Sequence, residues 1–227
     1  MKRPAYLSSL WRSEKGLSGM LVFLCLALFV GTPLMATGAL GEFVFDVLFS
    51  LLLLSGVVTV ARRPLLTVTV SALTVATLVS RWASFDSPGS VMRLWGFALS
   101  IPLLSILAAL VLWQVFREGP ITAYRVQGAV VVYLLIGLVW AAAYELVQGM
   151  LPGAFQFAQG VTSETRLTHG LVYFSFVTLT TLGYGDVTPL HPVARSLAMA
   201  EALMGQLYLA ILIARLVSMQ ISSRRAG

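Results

Sequence analysis

The chain has 227 residues, of which 58% are hydrophobic and only 11% charged, and its mean hydropathy is +0.89. A soluble domain carries about a quarter charged residues, so a water-soluble globule is excluded. The formal net charge is +6. No contiguous basic patch offers itself to nucleic acid, and in a membrane protein such an excess marks the cytoplasmic face and its anionic lipid.

Lys2, Arg3, Arg12 and Lys15 make residues 1–15 a basic tail. Apolar stretches follow at about Leu17 to Leu40, Phe43 to Ala61 and Pro64 to Ala83, each near the ~20 residues that a spanning helix needs. Arg62-Arg63 precede the third stretch, and Pro64 suits a helix start. The fourth stretch covers about Val91 to Phe116 and the fifth about Val126 to Val147. Pro33 and Pro102 fall inside spans, where they are expected to kink the helix. The small residues Ala36-Thr37-Gly38-Ala39 also suggest a cleaved secretory signal. The apolar region before them exceeds a signal core of about 7–15 residues, so an uncleaved span is expected.

Leu167 to Thr181 is too short to cross. Ser163 and Thr165 are candidate caps before it, and the run Gly183-Tyr184-Gly185 closes it. This pattern predicts a re-entrant half-helix followed by extended backbone, which survives at membrane depth only when buried in protein or lining water. The last span runs from about Val193 to Ile221.

Charge asymmetry orients the chain. With the N-terminus inside, Lys2, Arg3, Arg12, Lys15, Arg62, Arg63, Arg117, Arg125, Arg215, Arg224 and Arg225 are cytoplasmic, and Arg81, Arg93, Arg166 and Arg195 are outside, 11 against 4. Both termini are expected in the cytoplasm and the protein in the plasma membrane.

Between the last two spans stands Thr178-Leu179-Thr180-Thr181-Leu182-Gly183-Tyr184-Gly185-Asp186. It resembles the signature of the tetrameric potassium channel family, and it sits after a half-helix, where that signature belongs. The resemblance implies an all-α membrane protein: six transmembrane helices with a re-entrant pore helix and a selectivity-filter loop, assembled as a homotetramer. Residues 16–118 would form a four-helix membrane unit. Residues 119–227 would form the pore: outer helix about 121–149, pore helix about 167–180, filter 181–186, inner helix about 192–221.

A potassium ion entering a pore must exchange its water for other oxygens, and stacked backbone carbonyls supply them. Glycines at two positions let successive carbonyls face one axis. The expected ion-binding positions are Thr181, Leu182, Gly183, Tyr184 and Gly185, with the Thr181 hydroxyl as the innermost ring. The chain has one such motif and a cage needs four walls, hence the homotetramer. Apart from the permeant K+, no cofactor is expected.

The resemblance also implies supporting roles. Tyr184 would turn its ring away from the axis, braced by Tyr173 and Phe174, where many relatives carry two tryptophans. Thr180 and Asp186 would support the filter. Val177 stands where some relatives place a glutamate that pairs with the aspartate, so Asp186 needs another partner. On the inner helix, Gly205 serves either bending or close packing. Gln206, Leu209 and Ile213 would face the cavity, and Val217 and Ile221 would lie near a constriction that closes by dewetting. Glu201, read as the one acid well inside a span, is either a functional carboxyl or a buried structural hydrogen bond.

The four preceding helices have the order of the six-span voltage-gated family, but the fourth carries only Arg93 and Arg117, at its two ends. Each charge crossing the field contributes only about 2.3 kcal/mol per 100 mV, so weak or absent voltage dependence is expected. Glu42, Asp46 and Asp86 are expected to form solvated interfacial pairs with Arg81 and Arg93, of small energetic value. Only Ser222 to Gly227 follow the last span, so opening by a C-terminal ligand-sensing domain is not expected.

His169 and His191, with Cys25 as the only cysteine, do not suggest a transition-metal site. Phosphate-loop, H-E-x-x-H and G-x-S-x-G motifs are missing, which argues against an enzyme. Two other functions use the same features: a subunit of a potassium-uptake transporter, and a non-conducting membrane assembly subunit.

Overall fold

The computed structural model describes residues 5–35, 38–60, 64–84, 91–117, 122–157 and 164–225. Lys2, Arg3, Ala36, Thr37, Arg62, Arg63, Asp86 and Ser163 lie outside them, as do the side chains of Arg12, Lys15, Thr165, Arg166, His169, Arg224 and Arg225.

The helices, in chain order, are α1 (Ala5–Leu26), α2 (Thr32–Met35), α3 (Ala39–Val60), α4 (Pro64–Ala83), α5 (Val91–Phe116), α6 (Ala123–Met150), α7 (Glu164–Leu179) and α8 (Pro192–Arg225). Two short strands, β1 (Phe155–Phe157) and β2 (Val187–Pro189), flank α7. Among the described residues, six helical segments are long and apolar enough to cross a membrane. The protein is an all-α, multi-pass membrane protein. The third and fourth spans begin and end where the apolar pattern places them. The fifth and last extend further, to Ala123–Met150 and to Arg225, because helices carry on past the hydrocarbon edge into polar residues such as Arg125 and Ser222.

Pro33 has the local effect expected of it, but upstream. A π-helical turn, Ala27–Gly31, joins α1 to α2, and the Thr32 N–H bonds the Ala27 carbonyl. The Thr32 hydroxyl donates to the same oxygen at 3.0 Å. Proline cannot donate and crowds the carbonyl four residues back. One wider turn relieves that crowding, as π-bulges do elsewhere. Pro102 lies inside α5, which continues on both sides of it.

The core lies where α1, α3, α5 and α6 meet. Met20, Leu24, Leu52, Leu53, Leu103, Leu104, Leu107 and Leu135 are fully or almost fully buried there. Lipid tails are as apolar as leucine, so close packing rather than escape from water holds such helices together. α5 and α6 form the most extensive pair, and α6 also touches α1, α7 and α8. At the far end of α5, Arg215 of α8 donates from Nη2 to the Phe116 carbonyl at 3.2 Å. A cation there suits the negative end of a helix dipole.

One interfacial expectation needs correction. Arg81 pairs with Asp46, but the side chains are only 16% and 15% exposed, not solvated. The guanidinium also lies 4.6 Å from the centre of the Phe49 ring. The cause is that α3 and α4 pack side by side and close over the pair. Arg93 and Arg117, at the two ends of α5, lie over Phe97 and Trp113. No basic residue separates them along that helix.

Candidate functional site

α7 begins at Glu164, earlier than the sequence suggests, and spans 16 residues. That is about 24 Å of helix, less than a hydrocarbon core of ~30 Å. It ends at Leu179 because the regular i−4 spacing of its hydrogen bonds gives way there to i−3 and i−5 bonds that close the last turn. Thr180 N–H bonds Phe176 O, Thr181 N–H bonds Thr178 O, and Leu182 N–H reaches back to Val177 O at 2.9 Å.

Beyond that turn φ is positive at Thr181 (57°), Gly183 (59°) and Gly185 (79°), and at neither residue between them. In a strand, successive peptide groups face opposite ways. Alternating the sign of φ turns successive groups to the same side. Glycine adopts the positive values freely, whereas Thr181 costs roughly 1–3 kcal/mol. Residues 180–186 are all exposed on this single chain.

Four contacts anchor this segment. The first is the sheet: β1 and β2 pair antiparallel, Phe155 with Pro189, Gln156 with Thr188 and Phe157 with Val187. It ties the far side of the segment to the chain just after α6. Leu190 N–H and His191 N–H extend the link by bonding Ala154 O.

The second is at Asp186. Its Oδ1 accepts from Val187 N–H at 3.1 Å, and the Tyr173 hydroxyl also bonds its carboxylate. Burial, then that bond and the Asp186 charge, push the Tyr173 hydroxyl up to about 12. Tyr173 therefore takes the part that Val177 leaves open. The third is at Thr181, whose hydroxyl accepts from Gln206 Nε2 of α8 at 3.1 Å.

The fourth is at the last carbonyl of α7. Tyr133 of α6 donates to Leu179 O at 3.4 Å, and α8 brings Gly205 against that same oxygen. A Cβ on Gly205 would collide with it, so α8 packs closely on the end of α7 at this residue. Tyr208, beside Tyr133 at 5.7 Å between rings, donates to Ala129 O at 2.6 Å.

The residues singled out in the sequence do not all come together. Thr180, Thr181, Leu182, Gly183, Tyr184, Gly185 and Asp186 lie together, with Tyr173, Gly205 and Gln206 against them. Phe174 instead packs edge-on with Tyr144 at 5.1 Å and Phe155 at 5.5 Å, while Tyr184 is exposed. Leu209, Ile213 and Val217 are exposed along α8. Glu201 is fully buried, with the Tyr144 and Ser175 hydroxyls each in hydrogen-bond contact with one of its carboxyl oxygens. His191 accepts the Val193 N–H through Nδ1 at 3.2 Å, capping the start of α8.

Several contributors escape a reading of the sequence. Strands of three residues are too short for a period to register. Tyr133, Tyr144 and Tyr208 do carry a signal, because a tyrosine deep in a span needs a partner for its hydroxyl. Glu145 is also buried near the end of α6, so Glu201 is not alone.

Residues 132–221 match the Ion_trans_2 family, described as ion channel. The two pore potassium channel c of Oryza sativa subsp. japonica is 36% identical over 86 residues, 38% of this chain and 17% of that protein. Protein LctB of Bacillus caldotenax is 37% identical over 87 residues, 37% of this chain and 64% of that protein. The two pore potassium channel b of the same rice is 36% identical over 93 residues, 40% of this chain and 23% of that protein. The chain thus spans less than two thirds of the length of each of these relatives. No solved structure matches it significantly. Through residues 132–221, the chain is similar to the ion channel family and to parts of two pore potassium channels.

Proposed function

We propose that four copies of this chain surround a central pore and conduct K+ passively, selecting it with backbone oxygens of residues 181–185. The observation that carries this reading is the alternation of φ at Thr181, Gly183 and Gly185. Such backbone can turn the carbonyls of Thr181, Leu182, Gly183 and Tyr184 toward one axis, with the Thr181 hydroxyl below them. The negative end of the α7 dipole favours a cation at the same place.

Exposure supports the tetramer. Irregular backbone at membrane depth must be buried in protein or line water, and 180–186 are uncovered on one chain. Only 17% of the α8 span is buried within the chain, against 50% for α6. Neighbouring copies would cover what α8 and the filter leave open. The chain would lie in the plasma membrane with both termini inside. With charges only at the ends of α5, its opening would respond weakly to voltage.

Purified protein in liposomes tests this. A reversal potential that follows the K+ gradient and ignores Na+ is expected, together with four subunits per particle. A dimer, or equal permeability to both ions, would refute it. A channel-like subunit that only assembles would give no flux.

A further inference from the structure

Glu201 of α8, Ser175 of α7 and Tyr144 of α6 are all fully buried and meet at one point. Ser175 Oγ stands 2.7 Å from Gly137 O and 2.5 Å from Glu201 Oε1. A serine hydroxyl has one proton and can donate it once. The Gly137 carbonyl has none to offer, so the proton for the second contact must come from Glu201. The Tyr144 hydroxyl donates to the other carboxyl oxygen, Oε2.

We propose that Glu201 works as a neutral carboxylic acid, a positioning residue in a directed hydrogen-bond chain that fixes the pore helix between the helices on either side. Tyr144 O–H donates to Oε2, Oε1–H donates to Ser175 Oγ, and Ser175 O–H donates to Gly137 O. Every proton is used, and the glutamic acid satisfies both its oxygens.

The ionised form fits worse on two counts. A carboxylate only accepts, so Ser175 would have to abandon Gly137 to reach it. A buried carboxylate is also costly without a cation, and among the described residues none pairs with Glu201. The titratable groups facing it are Tyr144, by hydrogen bond, and Tyr133, through space, both on α6. α7 presents Ser175, which does not titrate.

This chain of bonds joins three helices. Ser175 lies one turn before Leu179, where α7 ends and the alternating backbone begins. Holding Ser175 sets the rotation of α7, and with it the direction in which Thr180 and Thr181 leave the helix. The inference rests on the reading of those residues as pore-lining, but its proton does not.

The test uses the amide. A glutamine can donate from its NH2 to Ser175 and accept from Tyr144, so it copies the neutral acid, whereas it cannot copy an acceptor-only carboxylate. In liposomes, Glu201→Leu is expected to lower K+ flux by about tenfold or more, and Glu201→Gln to restore it to within about twofold of the native protein. Glutamine no better than leucine would overturn the proposal.

Infrared spectroscopy with 13C-glutamate reads the proton directly, without conduction. Among the described residues Glu145 is the other buried glutamate, and Glu145→Gln removes it; Glu42 lies half-buried in the first turn of α3, and Glu14, Glu118 and Glu164 fall outside the apolar stretches of the sequence. The C=O band of a protonated acid should persist at neutral pH in Glu145→Gln. It should vanish on adding Glu201→Gln. Its absence from Glu145→Gln overturns the proposal even if Glu201 variants fail to fold. If the band is present and native protein carries no flux, the channel reading falls and the proton assignment stands.

Discussion

Gln206 of the last helix donates from Nε2 to the hydroxyl of Thr181 across 3.1 Å, 25 residues away in the chain. Thr181 has a positive φ, unusual for a branched residue. The bond therefore holds a strained residue from α8, and it links the helix that would gate to the backbone that would select.

Removing the amide should loosen Thr181. Gln206→Leu is expected to forfeit about 1 kcal/mol per chain and to lower the K+ to Na+ permeability ratio severalfold while leaving the oligomer intact. Bi-ionic reversal potentials measure the ratio. An unchanged ratio would show that the bond has no part in selection.

Gly183→Ala probes the backbone alone. An alanine at φ 59° costs roughly 1–2 kcal/mol, and nothing crowds the added methyl within this chain. The helices should survive, with circular dichroism unchanged, while K+ flux is lost. Retained flux would contradict a carbonyl-lined path here.

Gly205→Ala puts a methyl against a carbonyl that cannot retreat, since Leu179 O ends α7 and is also held by Tyr133. Overpacking of this kind costs about 1–3 kcal/mol. The variant should melt lower in detergent and lose oligomer on size-exclusion chromatography. Gly205→Ser should fare no better, because any Cβ meets the same oxygen.

Tyr173 offers a pH prediction with a definite sign. Its hydroxyl is raised from the ordinary phenol value to about 12, by burial first and Asp186 second. A raised value means that folding favours the neutral phenol. The stability this contributes is complete below about pH 10 and is lost as pH rises through about 12. Tyr173→Phe should lower thermal stability at neutral pH by removing a bond to a carboxylate, worth about 1.5–3 kcal/mol. The native curve should fall toward the variant's only in strong alkali. Parallel curves at every pH would remove Tyr173 as the partner of Asp186.

Arg81 and Asp46 predict a double-mutant cycle. Both side chains are mostly buried, so removing one leaves the other without its partner. Arg81→Leu or Asp46→Leu alone should each cost about 3 kcal/mol or more. The double variant should recover much of the loss, as melting in detergent can show. Additive losses would mean that the two charges do not stabilise each other.

Much of the architecture is legible in the sequence. Runs of apolar residues declare spans because every backbone polar group must be satisfied inside a bilayer, and a helix does this within itself. Arg62-Arg63, the start at Pro64 and the polar stretch after Ala83 bound α4 correctly for that reason. Less visible were the features that depend on two distant segments. The β1–β2 pair, the bond from Tyr173 to Asp186 and the burial of Arg81 with Asp46 each need partners brought together from elsewhere. Phe174 shows the limit from the other side: its place beside the filter in sequence suggests a brace for Tyr184, yet its ring packs on Tyr144 and Phe155.

By itself, the sequence determined a six-span helical membrane protein with a glycine-bearing re-entrant segment, because hydropathy and the freedom of glycine are local properties. The tertiary structure alone decided which groups hold that segment and which buried acid is tied to which hydroxyls. Those choices depend on hydrogen-bond geometry to a few tenths of an ångström between helices far apart in the chain, and no local pattern encodes such distances.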